Sequence, residues 1–328
     1  MSDGRVLIVG ATGHVGSQVA KLLLQKGRPV RVMVRREGTS IHGATGDLQY
    51  VLGDLSDPAS LRRAVTDVDI IVSSANSIIP SGKTLSVKRI NDSGYENLIA
   101  AAEEAGVQQF VQSSVPKHPM EQTVPELAGK RLIEQRLQSS SIASTIIRNP
   151  AFMDVWLVMS GARQLIGPDP HATTRRPYNF MRVWQSITGD FVVKHGILLA
   201  PGGSQQGSVF ISTRDVAQMM AGTVGHQNAL NRIIEAGGPE WITWAEVAEL
   251  LAKKIDRNVR TLPIPAWFAG IGQSIVQPIM PFAANVLALV KFIAAWQPHW
   301  DSAPIVKEFN LPKQFTVADY IEQNLENI

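Results

Sequence analysis

Three glycines spaced three residues apart near the start of the chain have the pattern of a phosphate-binding loop. Gly10, Gly13 and Gly16 lie in the run GATGHVG, after an apolar run and before an amphipathic one. The first permits a sharp turn, the second lets the backbone approach a diphosphate, and the third lets a helix pack close to a sheet. Free amides at the start of that helix would bind the diphosphate. We therefore expect a dinucleotide here, with further contacts from Thr12, His14 and Val15.

Two adjacent arginines follow the second apolar run, where a dinucleotide-binding sheet recognises the adenosine ribose. An acidic residue at this place accepts hydrogen bonds from the ribose hydroxyls of NAD, whereas arginine pairs with the 2′-phosphate of NADP. Arg35 and Arg36 stand here, and Glu37 comes too late to be the obvious ribose acceptor. The residues favour NADP(H) as cofactor. The alternative is that both guanidinium groups are simply solvated at a strand end.

Hydroxyl and imidazole groups follow the fifth predicted strand. Ser113 and Ser114 end that strand, at the edge where doubly wound sheets bind their ligands, so one hydroxyl is a candidate to bind a substrate carbonyl. Local bonding at the strand end is the alternative. His118 follows in the same loop and can titrate near neutral pH, although an isolated loop histidine is more often a surface residue. Tyr95 falls inside a long helical pattern, which favours core packing over an acid role.

Large apolar side chains follow the sixth predicted strand and are candidates to cover the substrate. Phe152, Met153, Trp156 and Met159 have helix-like spacing, which is also typical of ordinary core residues. If they line a pocket, they select a bulky apolar substrate by area and shape. We therefore name Met153, Trp156 and His118 as candidate substrate contacts.

The elements that would position these residues alternate between β-branched runs and amphipathic stretches. Six strands are expected, the last at Ala143–Arg148, with helices between them, which is the pattern of a Rossmann-type doubly wound parallel sheet of the α/β class. We divide the chain into a dinucleotide-binding domain, 1–150, and a smaller substrate-binding lobe, 151–328. A unit at about 209–235, opening with the apolar run Val209–Ile211, is expected to return to the main sheet.

Composition excludes several classes of function. A net charge of +3 without long basic runs argues against nucleic acid as a partner, and the lack of cysteine removes disulfides and thiolate metal sites; we expect no metal. No run is long and apolar enough to span a bilayer, and no export signal is visible at the start, so we expect a cytoplasmic protein. The apolar segment 264–297 is left open between packing on the core, packing on a partner and lying on a membrane surface.

With these residues in hand, the chain resembles the atypical short-chain dehydrogenase/reductases, and among them the NmrA-like NAD(P)-binding group that includes isoflavone reductase-like enzymes. The likeness covers nearly the whole chain. Its marks, beyond the glycine loop, are Gly53-Asp54-Leu55, Asn97-Leu98-Ile99 with Ala100-Ala101, Phe110-Val111-Gln112-Ser113-Ser114, Lys130 with Glu134, Arg148-Asn149-Pro150-Ala151-Phe152-Met153 and Phe210-Ile211-Ser212-Thr213-Arg214-Asp215-Val216-Ala217.

The resemblance implies further cofactor contacts and a role for one lysine. It places Asp54 and Leu55 against the adenine, and Lys130 facing the nicotinamide ribose with a part in proton transfer. The remaining implied cofactor contacts are Ser74, Ala75, Asn76, Pro150 and Phe152. Standard members of the superfamily carry a tyrosine four residues before the lysine, but this chain has Glu126 there, so the usual proton donor is missing.

Three functions fit these observations. The first is an NADPH-dependent reductase of a bulky hydrophobic carbonyl, quinone or conjugated alkene, with Lys130 or a water that it holds assisting proton transfer. The second is a non-catalytic NADP(H)-binding redox sensor, regulatory or assembly protein, which the missing tyrosine permits. The third is an epimerase or isomerase with transient hydride transfer. A homodimer is compatible with all three, and the natural substrate is not determined by the sequence.

Overall fold

Short β-branched runs and amphipathic helices alternate through the first half of the computed structural model, which describes residues 4–75, 93–118, 121–175, 179–276 and 281–325. The elements of this half are β1 (Val6–Val9), α1 (His14–Gln25), β2 (Val30–Val34), β3 (Leu48–Leu52), α2 (Pro58–Val65), β4 (Ile70–Ser73), α3 (Tyr95–Glu104), β5 (Gln109–Ser114), α4 (Pro125–Gln138) and β6 (Ala143–Arg148). The long helical pattern that contains Tyr95 is predicted over 87–105; α3 covers it from Tyr95 onward, and residues 87–92 lie outside the described residues.

The second half is richer in helices and carries short strands. Its elements are α5 (Met153–Met159), α6 (Asn179–Thr188), β7 (Ile197–Pro201), β8 (Gly207–Ser208), α7 (Thr213–Thr223), β9 (Arg232–Glu235), β10 (Ile242–Thr243), α8 (Trp244–Lys254), β11 (Arg260–Ile264), α9 (Ala266–Val276), α10 (Pro281–Ala295), α11 (Ala303–Glu308) and α12 (Val317–Asn324).

Seven parallel strands form the main sheet, in the order β3-β2-β1-β4-β5-β6-β9. The order reverses beside β1: the chain runs outward from β1 to β3 and then crosses back to β4. This is the arrangement of a doubly wound sheet, whose ligands bind at the carboxyl ends of the strands near the reversal. The predicted Rossmann-type α/β fold is confirmed.

Local sequence accounts for the element boundaries around the reversal. The residues of β1 are buried along the whole strand, as expected for a strand covered by helices on both faces. Asp57 caps α2 by accepting a hydrogen bond from the Ala59 amide at 3.0 Å, and a proline follows it at the first helical position. Helix α1 begins after Gly13 without any side-chain cap.

The apolar run Val209–Ile211 differs from the sequence-based expectation, because it is not a strand of the main sheet. It is buried, but instead of pairing along a neighbouring strand it forms a single isolated β-bridge, between Ile211 and Phe152. Its backbone groups bond instead to loop residues: the Ile211 amide donates to Ala151, and the Val209 carbonyl accepts from Gly238. The strand that returns to the sheet is β9, which pairs in parallel with β6. The division of the chain at residue 150 stays a prediction.

Three apolar clusters hold these layers together. One lies between the sheet and the pair α1 and α7, and a second lies on the other face under α2, α3 and α4. The third lies under α5, α8, α10 and α12 and forms the core of the C-terminal lobe. Within the described part of the chain, no helix is both long and apolar enough to cross a membrane.

Candidate dinucleotide site and its reaction end

The turn between β1 and α1 is made of backbone brought into very close contact. Gly10 has a φ of +89°, and a Cβ on it would lie 2.6 Å from the backbone nitrogen of Ala75. A Cβ on Gly16 would lie 2.3 Å from the carbonyl oxygen of Gly10. Only glycine fits at these two positions, because real Cβ contacts are not that short. Helix α1 therefore begins directly against the end of β4.

The start of α1 is suited to an anion. Gly13 precedes the helix without a side-chain cap, and its first turn contains no acidic residue. The first amides of a helix lack intrahelical acceptors and carry partial positive charge, which a diphosphate would satisfy. The glycine turn, which has no room for a Cβ at Gly10 or Gly16, and the uncapped start of α1 both fit the diphosphate of a dinucleotide. Gly10, Thr12, Gly13, Val15 and Gly16 all lie in this turn or the first helical turn.

His14 follows Gly13, but its ring is directed toward the C-terminal lobe. Its Nε2 lies 3.2 Å from the hydroxyl oxygen of Thr213 and 4.0 Å from carboxylate oxygens of both Asp154 and Asp169. These residues border a cavity of about 440 Å³ between α1, α7 and α12. The His14 side chain therefore links the glycine turn to the second lobe, and only its backbone lies at the predicted phosphate position.

The remaining adenosine-side candidates lie at the ends of neighbouring strands. Arg35 and Arg36 directly follow β2 and are exposed. Asp54 follows β3, where its Oδ1 accepts hydrogen bonds from the amide and hydroxyl of Ser56 at 2.8 and 2.6 Å. Leu55 is half-buried and, like Ala75, packs against the apolar cluster under α2, α3 and α4. Asp54 thus has a structural role in its loop, whatever it does toward an adenine.

Two candidates follow β4, and a third falls beyond the described residues. The Ser74 amide bonds to the Val9 carbonyl, and its buried hydroxyl has no hydrogen-bond partner in the described part of the chain. Ala75 lies against Gly10, as described above. Asn76 lies outside the described residues.

Lys130 lies at the centre of the second part of the candidate site, formed by the carboxyl ends of β4, β5 and β6 and here called the reaction end. It lies on α4 with 3% of its surface exposed, and its Nζ donates to the carbonyl oxygens of Ala75 at 3.3 Å and Ser113 at 3.1 Å. Burial lowers the pKa of Lys130 from 10.5 to about 8, although the carboxylates of Glu126 and Glu134 act in the opposite direction. The lysine therefore joins the ends of β4 and β5 and can change its charge near neutral pH.

A tyrosine shares one of the lysine's acceptors. Tyr95 is 1% exposed, and its hydroxyl donates to the Ala75 carbonyl at 2.9 Å and lies 2.7 Å from the Ser73 hydroxyl. Burial raises the pKa of Tyr95, and the hydrogen bonds with Ser73 and Gln112 offset this only partly. The sequence favoured core packing for Tyr95, and the residue is buried. Its hydroxyl nevertheless fixes the carbonyl that holds Lys130, which no spacing in the sequence indicated.

The two candidate serines have different surroundings. Ser114 is buried and donates to Glu134 at 2.5 Å. Ser113 is half-buried, and its hydroxyl accepts a hydrogen bond at 2.9 Å from Asn149. The amide oxygen of Asn149 is itself buried with no partner among the described residues. Ser113 is therefore the better placed of the two for a ligand, and Asn149 is a neighbour that the sequence analysis did not single out.

Beneath the serines lies a buried network of opposite charges. Glu134 accepts hydrogen bonds from Arg131 and, at 2.7 Å, from Arg148, which also donates to Glu235 at 2.8 Å. Burial alone would raise the pKa of Glu134, but the hydrogen bonds from Arg148 and Ser114 outweigh it and lower the pKa. The carboxylate thus stays charged and fixes β5 and β6 to α4. In the sequence, the only indication of this role was that Glu134 and Lys130 together are one of the marks of the family resemblance.

The apolar candidates divide between core and surface. Pro150 is buried, and Phe152 and Trp156 are half-buried. Met153 has no exposed surface and packs in the core of the C-terminal lobe, so it cannot touch a ligand without rearrangement. His118 lies edge-on to Phe292 and Trp296, with ring centroids 4.9 and 6.1 Å away. Its pKa is lowered by burial, against the effect of Glu121.

The fold is of the Rossmann type, with a candidate dinucleotide site at its strand ends, and solved structures share that architecture. The structure of an NADPH-dependent quinone oxidoreductase from Escherichia coli, complexed with NADPH, is similar with a TM-score of 0.70 and 19% identity, covering 97% of this chain and 99% of that one.

More specifically, the chain belongs to the NmrA-like family, whose model matches residues 2–287. Among curated relatives it is 22% identical to the photosystem II assembly factor Ycf39 of Synechocystis sp., over 97% of this chain and 90% of that protein. It is also 22% identical to phenylcoumaran benzylic ether reductase PT1 of Pinus taeda, over 92% and 91% of the two chains.

Proposed function

We propose that this protein is an NADPH-dependent reductase of a bulky hydrophobic carbonyl, quinone or conjugated alkene. The observation that carries the proposal is the position of Lys130, buried between the ends of β4 and β5 at the same sheet edge as the glycine turn. Reductases are among the relatives, and the similar quinone oxidoreductase structure contains NADPH, which supports the same cofactor here.

The residues that would hold NADP(H) follow from the fit described above. The first amides of α1 would bind the diphosphate, and Arg35 and Arg36 would bind the 2′-phosphate. When bound, the cofactor supplies a hydride equivalent from its nicotinamide. The protein contributes the fixed position of the strand ends and a place from which water is excluded.

Lys130 would hold and deliver the proton that a reduction requires. A pKa of about 8 leaves the ammonium group protonated near neutral pH but able to release its proton. It can act on the substrate directly or through a water that it holds. The Ser113 hydroxyl, oriented by Asn149, would donate a hydrogen bond to the substrate oxygen, while Ser114 stays bound to Glu134 and positions the strand.

The side chains around this edge support a bulky apolar substrate. Phe152 and Trp156 are half-buried after β6, and His118 stands against two aromatic rings after β5. Such surfaces bind flat or bulky apolar molecules and offer few favourable contacts to small charged ones. Met153 has no exposed surface and lies in the apolar cluster on which Trp156 packs.

NADPH oxidation by wild type over a panel of hydrophobic quinones, conjugated alkenes and carbonyls tests the proposal. We expect turnover whose rate falls as pH rises above about 8, since Lys130 then loses its proton. Lys130→Met should still bind NADPH by calorimetry, through the glycine turn, but lose this pH dependence together with most of the rate. Tight NADPH binding without turnover of any member of the panel would contradict the reductase.

A second candidate is a non-catalytic NADP(H) sensor or assembly protein. The structure offers a specific reason: Tyr95 is buried and Lys130 donates to two backbone carbonyls, so both groups also serve as structural supports. The similarity to an assembly factor points in the same direction. This function predicts that a partner protein binds differently to the NADP⁺, NADPH and nucleotide-free forms. Equal partner affinity in all three states would remove it.

A further inference from the structure

Helix α9 exposes an apolar face that the core does not use. Trp267, Phe268, Ile271 and Ile275 are 66, 62, 54 and 64% exposed. Three of them are spaced four residues apart and Phe268 is adjacent, so they lie on one side of the helix. Isolated exposed apolar residues are ordinary, but a contiguous group of large ones marks an interaction surface.

The opposite side of α9 is the one that packs on the protein. Ala269 is 1% exposed, and Gly272 lies close to Leu287 of α10. Helix α10 in turn buries Ala288, Phe292 and Ile293 in the core of the C-terminal lobe. The pair of helices is therefore anchored through α10, and the exposed side of α9 faces away from this anchor.

A basic side chain lies against α9 and another stands on the strand that leads into it, whereas acidic residues are missing from this part of the sequence. No aspartate or glutamate occurs from Arg257 to Trp300. The Lys291 side chain lies against α9, with Nζ 3.8 Å from where a Cβ of Gly270 would be. Arg260 is exposed on β11, two residues before the exposed Leu262 and hence on the same side of that strand. Strand β11 leads through Pro265 directly into α9.

We propose that the face formed by Trp267, Phe268, Ile271 and Ile275, with Lys291 against the same helix and Arg260 on the strand that leads into it, docks the protein on an anionic lipid surface. Tryptophan, phenylalanine and isoleucine would enter the boundary between headgroups and acyl chains, and the basic groups would contact anionic headgroups. With 11 residues α9 is only about 16 Å long, so it would lie in the interface and not cross it.

The charges and the shape favour lipid over a second copy of this chain. A symmetric dimer through this face would bring its basic groups toward their own copies, which is unfavourable. Each of the four side chains is more than half exposed, so a protein partner would need matching pockets to bury them. A bilayer accepts protruding apolar groups without such pockets, and its anionic headgroups complement the basic rim.

This docking is independent of the proposed reductase activity, but it bears on where a substrate would come from. Helix α10 carries Phe292, and Trp296 follows it; both contact the ring of His118 at the reaction end. The helix pair that would lie on the lipid is thus continuous with the edge of the candidate substrate site. A substrate dissolved in the bilayer would reach the site from that side.

Vesicle flotation without nucleotide tests the docking. Wild type should float with vesicles of phosphatidylcholine mixed with phosphatidylglycerol, more weakly with phosphatidylcholine alone, and less as salt increases. The variant Trp267→Ser/Ile271→Ser should lose roughly tenfold or more in partitioning. Arg260→Gln/Lys291→Gln should lose severalfold on the mixed vesicles only.

A matched control removes two apolar side chains that are similarly exposed elsewhere. Val183→Ser/Ile187→Ser changes α6, where these residues are 57 and 64% exposed, and should float like wild type. Thermal unfolding of every variant confirms that it is folded. Failure of wild type to float with mixed vesicles, or an equal loss in both double-serine variants, would overturn the proposal. So would sedimentation showing a dimer that Trp267→Ser/Ile271→Ser dissociates. Because nucleotide is absent, a failed reductase assay leaves these outcomes unaffected.

Discussion

The nucleotide end of the candidate site is formed mainly by backbone, whereas its reaction end is formed by buried side chains. At the nucleotide end, glycine backbone and the start of α1 make the surface, with Gly16 lying against the Gly10 carbonyl. At the reaction end, buried side chains from α3, α4, β5 and β6 hold one another in place around Lys130. A site formed by backbone requires that the Cβ atoms of its glycines be absent, because they would collide with neighbouring backbone. A side-chain site depends on a whole network, so it is easier to damage through stability.

The largest effect is expected from breaking the network at the reaction end. Glu134→Gln would remove the buried carboxylate that Arg131 and Arg148 share and leave each with only its second partner, Glu121 or Glu235. Breaking a buried ion pair costs about 3 to 5 kcal/mol of unfolding free energy. Urea denaturation measures this loss. Glu96→Gln is the control, because Glu96 is 65% exposed in its pair with Arg136, and such pairs contribute less than about 1 kcal/mol. Equal stability of both variants would show that the network is not what fixes this end.

The next effect comes from adding one carbon at the nucleotide end. Replacing a helical glycine by alanine normally stabilises a helix by about 1 kcal/mol, but a Cβ on Gly16 would lie 2.3 Å from the Gly10 carbonyl oxygen. Gly16→Ala should therefore displace the turn and weaken NADPH binding by about a hundredfold or more, measured by calorimetry. Gly270→Ala is the control, since its Cβ would be no closer than 3.6 Å to any neighbour. Unchanged NADPH affinity in Gly16→Ala would refute a backbone-built site.

A third effect sharpens the account of Lys130. Its pKa falls from 10.5 to about 8 on folding, so between these values the unfolded chain binds more protons and stability rises with pH. From about pH 8 to about pH 10, wild type should gain about 2 kcal/mol relative to Lys130→Met. Urea denaturation of both proteins across this range tests the prediction. Parallel stability curves would mean that the buried lysine does not titrate in this window.

The smallest effect separates the two nucleotides. Arg35→Ser/Arg36→Ser should weaken NADPH binding by about tenfold and leave NADH binding nearly unchanged, since only NADPH carries the 2′-phosphate. Calorimetry with each nucleotide gives both affinities. Arg63→Ser removes another exposed arginine, on α2, and should affect neither. An equal loss for both nucleotides would assign the arginines to general attraction and not to the phosphate.

The contrast between the ends also explains what the sequence could predict. The glycine spacing and the strand pattern are local, and they anticipated the sheet and the turn that Gly10 and Gly16 require. The contacts of Tyr95 and Asn149 were not foreseen, because each joins residues that are distant in the chain, as Tyr95 does with Ala75 and Asn149 with Ser113. Val209–Ile211 differs from the sequence-based expectation for a related reason: an apolar run indicates burial, but it does not determine which backbone groups bond to it.

The pairing of β9 with β6 has a consequence for folding and for dissection of the chain. Thr145 is the register partner of Arg232, so the seventh strand closes the sheet only after the intervening chain has looped out and returned. Closing so long a loop is entropically costly, and β9 is expected to join late. A fragment ending near residue 150 would expose the β6 edge as a template for intermolecular pairing. Such a fragment is therefore expected to aggregate, whereas cuts within loops after β9 would spare the sheet.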